Sequence, residues 1–246
     1  MSRPTLSIVV PVWNEERRLP GCLERLEAEA DAAAAAAGLE LSDVLVVDDG
    51  STDGTGETLA AYQGLPGRFR YLRFERANRG KGAAVRAGML AVESDLALMS
   101  DVDLSTPLDE LAKLAVAIDD GVDVAIGSRG LSTSNVLVHQ PWYRERAGKT
   151  FNLLIRLVTR LPWRDTQCGF KLFRLATTRQ LFELQRVDGF AFDVELLVLA
   201  RRRGLQVREV PVRWVNDPDT HVSFVSSSAR MAFDTLRIAY RARRLR

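Results

Sequence analysis

Five short apolar runs constrain this chain more than anything else in it: LSIVVPVW (6–13), DVLVVDD (43–49), FRYLRF (69–74), LALMS (96–100) and DVAIGS (123–128). They are rich in β-branched residues, nearly unbroken, and separated by helix-like segments. That alternation predicts an α/β fold, a mostly parallel sheet with helices on both faces. In open sheets of this kind ligands bind outside the carboxyl ends of the strands. Most of these runs exit into polar residues, so the exits are where function is to be sought.

The rest of the chain fits around such a sheet. EAEADAAAAAAG (27–38) reads as a surface helix stopped at Gly38, since Ala is the best helix former. Residues 129–146 lose periodicity and read as a mobile loop, followed by a helix near 147–160 and short strands near 168–174 and 207–215. The tail, SSSARMAFDTLRIAYRARRLR (226–246), sets Met231, Phe233, Leu236, Ile238 and Tyr240 among Arg230, Arg237, Arg241, Arg243, Arg244 and Arg246. It reads as an amphipathic basic helix from about 229 to 245. The expected organisation is one domain over 1–225 with the tail as an appendage.

With 246 residues the chain can bury a full core without staples. A net charge of +2 gives no general affinity for polyanions, so a nucleic-acid partner is not expected and any basic function is local. Cys22 and Cys168 form no CxxC pair, and a reducing cytoplasm is the simpler setting. The apolar run in MSRPTLSIVVPVW is short for a signal peptide. No run approaches the roughly 18 apolar residues of a transmembrane helix, so contact with a membrane is expected from its surface.

Four exits carry chemistry. SDVDLSTP (100–107) places Asp101 and Asp103 just past a buried strand, where two carboxylates repel unless a cation lies between them. Mg²⁺ commonly takes one or two carboxylates plus phosphate oxygens, which suits a nucleoside diphosphate; the alternative is a turn and cap for the helix starting near Pro107. VVDDGSTDGT (46–55) sets Asp48 and Asp49 at a strand end, where an acid can meet a base N–H or a ribose hydroxyl, or simply shape a turn. NRGKGAAVRAG (78–88) is a glycine-flanked basic loop whose backbone N–H groups, with Arg79 and Lys81, could hold an anion, without Rossmann or P-loop spacing. RDTQCGFKLF and GFAFDVELL bring in Asp165, Asp193 and Glu195, with Asp193 a candidate helix cap. His139 and His221 share no ligand spacing, and no Gly-x-Ser-x-Gly elbow is present.

Taken in order, VVPVWNEE, VVDDGSTDGT, NRGKGAAVRAGML, SDVDLSTP, GSR and DTQCGFK resemble the family-2 glycosyltransferases of the GT-A fold. The likeness runs from residue 5 to about 240 and is nearest to their polyprenyl-phosphate branch, above all the dolichyl-phosphate glucosyltransferase-like members, through QPWYRERAGKTFNLLIR and DTQCGFKLF. It implies a GT-A fold and an inverting, metal-dependent transfer of a hexose from a nucleotide sugar to a polyprenyl or dolichyl monophosphate. UDP-glucose is the favoured donor, because NDPDTHVS (216–223) stands where mannosyl relatives carry an Arg/Lys pair. On the donor side it implies Pro11, Trp13, Glu15, Val47, Asp49, Lys81 and Val102. Asp101, Asp103 and Ser105 would hold Mg²⁺ or Mn²⁺, and Arg129, Arg144 and Lys171 the acceptor phosphate, with Asp101, Asp103 and Arg129 catalytic.

A lipid monophosphate is already ionised, so no general base is assigned. Eukaryotic glucosyl relatives carry an N-terminal membrane anchor, for which this sequence shows no apolar run. Membrane contact at the cytoplasmic face is therefore expected from the tail, the 130–146 loop, or a partner, either a membrane protein or a second copy. Three alternatives remain at this stage: a GDP-mannose-dependent transferase on the same lipid, a transferase to a soluble hydroxyl with Asp165 or Glu195 as base, and a nucleotide-sugar-binding protein without turnover.

Overall fold

In the first strand, side chains alternate between two cores: Leu6, Ile8, Val10 and Val12 point to one and Val9 to the other. A computed structural model describes residues 2–63, 68–75, 78–138, 142–215 and 224–244; for residues 63, 135–138, 142–149, 151, 224–229 and 243–244 the backbone alone is described.

The chain runs β1 (Thr5–Val12), α1 (Leu19–Ala36), β2 (Glu40–Asp48), α2 (Thr55–Gln63), β3 (Phe69–Arg73), α3 (Lys81–Ala91) and β4 (Leu96–Met99). After a 3₁₀ turn (Leu108–Glu110) it continues through α4 (Leu111–Asp119), β5 (Val124–Ser128), β6 (Asn135–Val138) and α5 (Trp142–Thr159). It ends with β7 (Lys171–Arg174), α6 (Leu175–Leu184), α7 (Phe192–Arg202), β8 (Val207–Pro211), β9 (Arg213–Val215) and α8 (Phe224–Arg244).

Seven strands form one sheet in the order β3-β2-β1-β4-β7-β5-β8. All neighbours are parallel except β7, which lies antiparallel between β4 and β5. The carboxyl ends of β1, β2, β4 and β5 and the start of β7 thus share one edge, with Lys171 in register with Met99 and Ile126. One face of the sheet is covered by α1 and α4 through Leu19, Leu23, Leu26, Leu111 and Leu114. The other is covered by α3, α6, α7 and α8 through Val85, Met89, Phe182, Phe192 and Ile238.

Local expectations are met at the Ala-rich helix, which stops before Gly38 at φ +74, although it begins much earlier, at Leu19. Within the expected 129–146 loop lies β6, paired in parallel with β9, and α5 opens at Trp142 rather than near 147. The tail helix begins at Phe224. It docks on the body, with Thr235, Ile238, Ala239 and Ala242 buried, so its inner face belongs to the core and does not hang from it. Among the described residues no helix is long and apolar enough to cross a membrane.

Candidate active site

Three non-glycine residues with positive φ stand at the shared sheet edge: Asn14 (+54) after β1, Asn78 (+51) before α3 and Leu104 (+46) after β4. Asparagine tolerates that region; a buried leucine there costs about 1 kcal/mol or more, which the packing must over-determine. Leu104 is held because its side chain is buried in the α1–α4 core and its N–H donates to Asp101 O at 3.1 Å. The turn it makes presents Asp101 and Asp103.

Asp101 lies over the backbone of Gly169. A Cβ at residue 169 would land inside the Asp101 carboxylate, so only glycine lets the two segments approach so closely. The Lys81 ammonium, at the start of α3, lies 2.6 Å from Asp101 Oδ1. Burial pushes the Asp101 carboxyl up, but the charge and hydrogen bond of Lys81, joined by the charges of Lys171 and Arg129, together outweigh it and hold the group below the ordinary range. Asp103 is displaced the other way, by burial first and then by the charge of Asp101. Its Oδ1 accepts the Ser105 N–H at 2.9 Å. The buried Ser105 Oγ lies beside it without a hydrogen bond of ordinary geometry.

A divalent cation fits this donor set. One carboxylate is already matched to a cation, a second is raised by burial and by the charge of the first, and a buried hydroxyl oxygen lies alongside. Among the described residues no group of three or more carboxylates, thiols and imidazoles forms a complete cage. An ion here would be held by the aspartate pair and by the oxygens of its own substrate, the usual manner of Mg²⁺.

Arg129, immediately after β5, lies near enough for its charge to act on Asp101. Asp165 grips it in a fork, Nε–Oδ2 2.7 Å and Nη2–Oδ1 2.9 Å, and also accepts its backbone N–H at 3.0 Å. The guanidinium lies 5.4 Å from the centroid of the Trp214 ring. Burial opposes the charge of Asp165, yet Arg129 pushes that carboxyl below the ordinary range, so both stay ionised. Arg129 is thereby fixed in direction while remaining partly open to solvent.

Several expected contacts are engaged within the protein. Lys171 is 1 % exposed, its ammonium 2.6 Å from Asp193 Oδ1 and 2.5 Å from Cys168 O. It is therefore a buried strut and does not reach a phosphate directly. Asp193, expected as a helix cap, is its counter-ion instead. The anion held by the 78–81 loop is Asp49 itself, whose two oxygens accept Arg79 N–H at 2.8 Å and Gly80 N–H at 2.6 Å. Asp48 accepts both Ser51 groups and is fully buried. Val47 and Val102 turn their side chains into the two cores, so neither offers a side-chain contact to a donor.

Pro11 is buried in β1, Trp13 is exposed at the edge, and Glu15 is bound by Arg18 through both oxygens, at 2.8 and 2.7 Å. The Arg144 side chain, His139, His221 and the 216–223 segment lie outside the described residues. Glu195 accepts Arg186 and Val187 N–H at 2.8 and 2.7 Å, so neither it nor Asp165 is a free base. Two features escaped the sequence reading: the Gly169 seat and the Lys81–Asp101 pair. The glycine stood in a quoted motif, and a glycine followed by an aromatic strand start was its only signal; nothing in the spacing joins residue 81 to 101.

The chain is 39 % identical over 218 residues, 85 % of its length and 66 % of the relative's, to a dolichyl-phosphate beta-glucosyltransferase of Drosophila melanogaster. It is 35 % identical over 239 residues to one of Trichomonas vaginalis, covering 95 % of this chain and 72 % of that protein. Its fold matches glucosyl-3-phosphoglycerate synthase from Mycobacterium tuberculosis in complex with Mn²⁺ and uridine-diphosphate-glucose, with TM-score 0.68, 18 % identity, and 96 % of this chain and 79 % of that one covered. Mannosyl-3-phosphoglycerate synthase from Rubrobacter xylanophilus gives TM-score 0.68 at 20 % identity, over 99 % of this chain and 74 % of the other. The sequence profile of glycosyl transferase family 2 matches residues 7–182, and with the GT-A-like sheet and these relatives in view, the chain belongs to that family.

Proposed function

We propose that this chain transfers a hexose, glucose in the first instance, from UDP-sugar to a polyprenyl or dolichyl monophosphate, with inversion at the anomeric carbon. The observation that carries the reading is the gathering of two charged groups at one sheet edge: the Asp101–Asp103 turn, with Asp101 seated on Gly169, and Arg129, held in the Asp165 fork and near enough for its charge to act on Asp101. The names of the relatives supply the substrate class.

Asp101, Asp103 and the Ser105 hydroxyl would hold Mg²⁺ or Mn²⁺, which when bound offsets the negative charge that develops on the departing diphosphate. Lys81, on the same carboxylate, adds a further positive charge on that side. Arg129 orients the second anion, the acceptor phosphate, and the Asp165 fork fixes the direction from which it presents its oxygen. That oxygen is ionised near neutral pH, so no proton has to be removed. The engagement of both Asp165 and Glu195 in other bonds supports this acceptor over a neutral hydroxyl, which would need a base. The setting proposed is peripheral, at the cytoplasmic face of a membrane.

The test is a labelled transfer assay with purified protein, Mg²⁺ or Mn²⁺, a polyprenyl monophosphate in detergent, and UDP-glucose or GDP-mannose in parallel. Metal-dependent label in the lipid from UDP-glucose is expected, and Asp103→Ala should remove it. Label from GDP-mannose alone would reassign the donor. Transfer only to a soluble hydroxyl acceptor would overturn the proposal.

A further inference from the structure

We infer that Trp214 is a positioning residue that aims Arg129, and that β9, the strand carrying it, fastens this arginine to the metal turn so that occupation of one side of the site strengthens binding on the other. The role of Arg129 rests on the acceptor reading above; the bonds that join the two sides through β9 do not.

An arginine that presents one edge to an anion needs its plane fixed as well as its direction. The Asp165 fork uses Nε and Nη2 of Arg129 and leaves Nη1 outside it. A fork restrains the guanidinium within its own plane and leaves tilt free, and the Arg129 side chain is still 34 % exposed. The guanidinium carbon lies over the Trp214 ring, 5.4 Å from its centroid. The ring restrains that tilt, and its π face attracts the charge without neutralising it. A second carboxylate in the same place would cancel the charge that a phosphate needs.

Four consecutive residues tie this ring into both halves of the site. The Val212 N–H donates at 3.3 Å to the carbonyl of Ser128, the residue before Arg129. Arg213 binds Glu110 through Nε at 2.8 Å and Asp109 through Nη2, both in the 3₁₀ turn that follows the metal loop. Trp214 supplies the ring, and the Val215 N–H donates to Ser105 O at 2.8 Å. Ser105 in turn donates its own N–H to Asp103 and carries the buried hydroxyl that lacks a hydrogen bond. A cation drawn to Asp103 and that hydroxyl would hold the Ser105 peptide, and through Val215 the strand whose ring lies against Arg129. Binding energy linked in this way is reciprocal, so acceptor and donor each favour the other. Neither Trp214 nor Arg213 belongs to the metal turn or to the Asp165 fork, so substituting them separates coupling from direct contact.

The test is calorimetry on the full chain, with UDP and Mn²⁺ as the donor-side probe and farnesyl monophosphate as the acceptor-side probe, a pair that holds no transferable sugar. In wild type each should tighten the other by about fivefold or more, by the same factor in both orders of addition. Trp214→Leu, apolar but without a ring, should weaken farnesyl phosphate by about fivefold and abolish the mutual gain, while UDP–Mn²⁺ affinity measured alone is unchanged. Trp214→Phe returns a ring face and should restore most of both. Arg213→Gln keeps the ring and frees the strand from Asp109 and Glu110. It should retain the farnesyl phosphate affinity measured without UDP and lose the gain. Thermal melts confirm that each variant remains folded.

Farnesyl phosphate binding by Trp214→Leu equal to wild type overturns the inference and leaves the acceptor reading standing. Equal losses on both sides in Trp214→Leu also overturn it, since the ring would then be structural only. Binding of both probes by wild type with no mutual gain removes the coupling. A gain that survives Trp214→Leu and Arg213→Gln does the same, because the two ligands would be coupled by direct contact. Wild type that binds UDP–Mn²⁺ and ignores farnesyl phosphate overturns the acceptor reading and the inference with it, a result told apart from the others before any variant is made.

Discussion

Lys171 Nζ lies 2.6 Å from Asp193 Oδ1 with both side chains almost wholly buried, and the same ammonium donates to Cys168 O at 2.5 Å. The pair ties the start of β7 to the first turn of α7 directly beneath the Asp101 turn. A buried pair of this kind stabilises little relative to apolar residues of equal volume, but removing one partner strands the other. Lys171→Met should therefore cost about 3–5 kcal/mol in urea denaturation, and Lys171→Met combined with Asp193→Leu should recover most of it. A loss of lipid transfer in Lys171→Met with unchanged stability would restore Lys171 to direct phosphate contact.

Gly169→Ala tests the seat of Asp101. The added Cβ can be accommodated only by moving the carboxylate or the backbone of the 165–170 segment. Misplacing a catalytic group by about 1 Å costs on the order of 100-fold in rate, so transfer should fall by at least that much. Mn²⁺ binding measured by calorimetry should weaken in parallel while the thermal midpoint changes little. Normal Mn²⁺ affinity in the variant would detach Gly169 from the metal side of the site.

Asp165→Asn tests the fork that aims Arg129. The amide keeps one acceptor and loses the charge, at a cost of about 1.5–3 kcal/mol for a hydrogen bond to a charged group. The expected kinetic signature is an acceptor KM raised about tenfold or more, with UDP-glucose affinity unchanged. A drop in donor affinity of equal size would move Arg129 to the donor side.

The strands were legible because they are continuous apolar runs, and the site edge because most runs end in charged or polar residues. Two physical effects hid the rest. The β7 strand is short and its antiparallel insertion between β4 and β5 is a matter of tertiary pairing, so KLFR could be seen as a strand but not placed. The partners of Asp49, Lys81, Lys171 and Glu195 are set by approaches between segments distant in sequence. Asp49 and Glu195 bind backbone N–H groups, which carry no sequence signature at all. The outer apolar stripe of α8 was visible as an amphipathic pattern. That its inner face would dock on the core, leaving Phe233 and Leu236 outward, required the packing.

Glu195 gives a pH prediction whose sign follows from its surroundings. Burial pushes its carboxyl above the ordinary 4.5, and this outweighs the N–H bonds from Val187 and Arg186 and the charges of Arg241 and Arg186. The folded state therefore binds the proton more tightly than the unfolded chain, so the slope of stability with pH is negative across the window. The contribution of this group is greatest below about pH 4.5 and is lost as pH climbs through the folded value. Glu195→Gln keeps an oxygen to accept the Arg186 and Val187 N–H groups and has no proton to lose. In urea denaturation at a series of pH values from 4.5 upward, the variant should gain on wild type as pH rises and then hold a constant lead. If wild type instead gains on the variant over that range, Arg241 and the two N–H bonds outweigh burial, and α8 is fastened to α7 by an ion pair at this position.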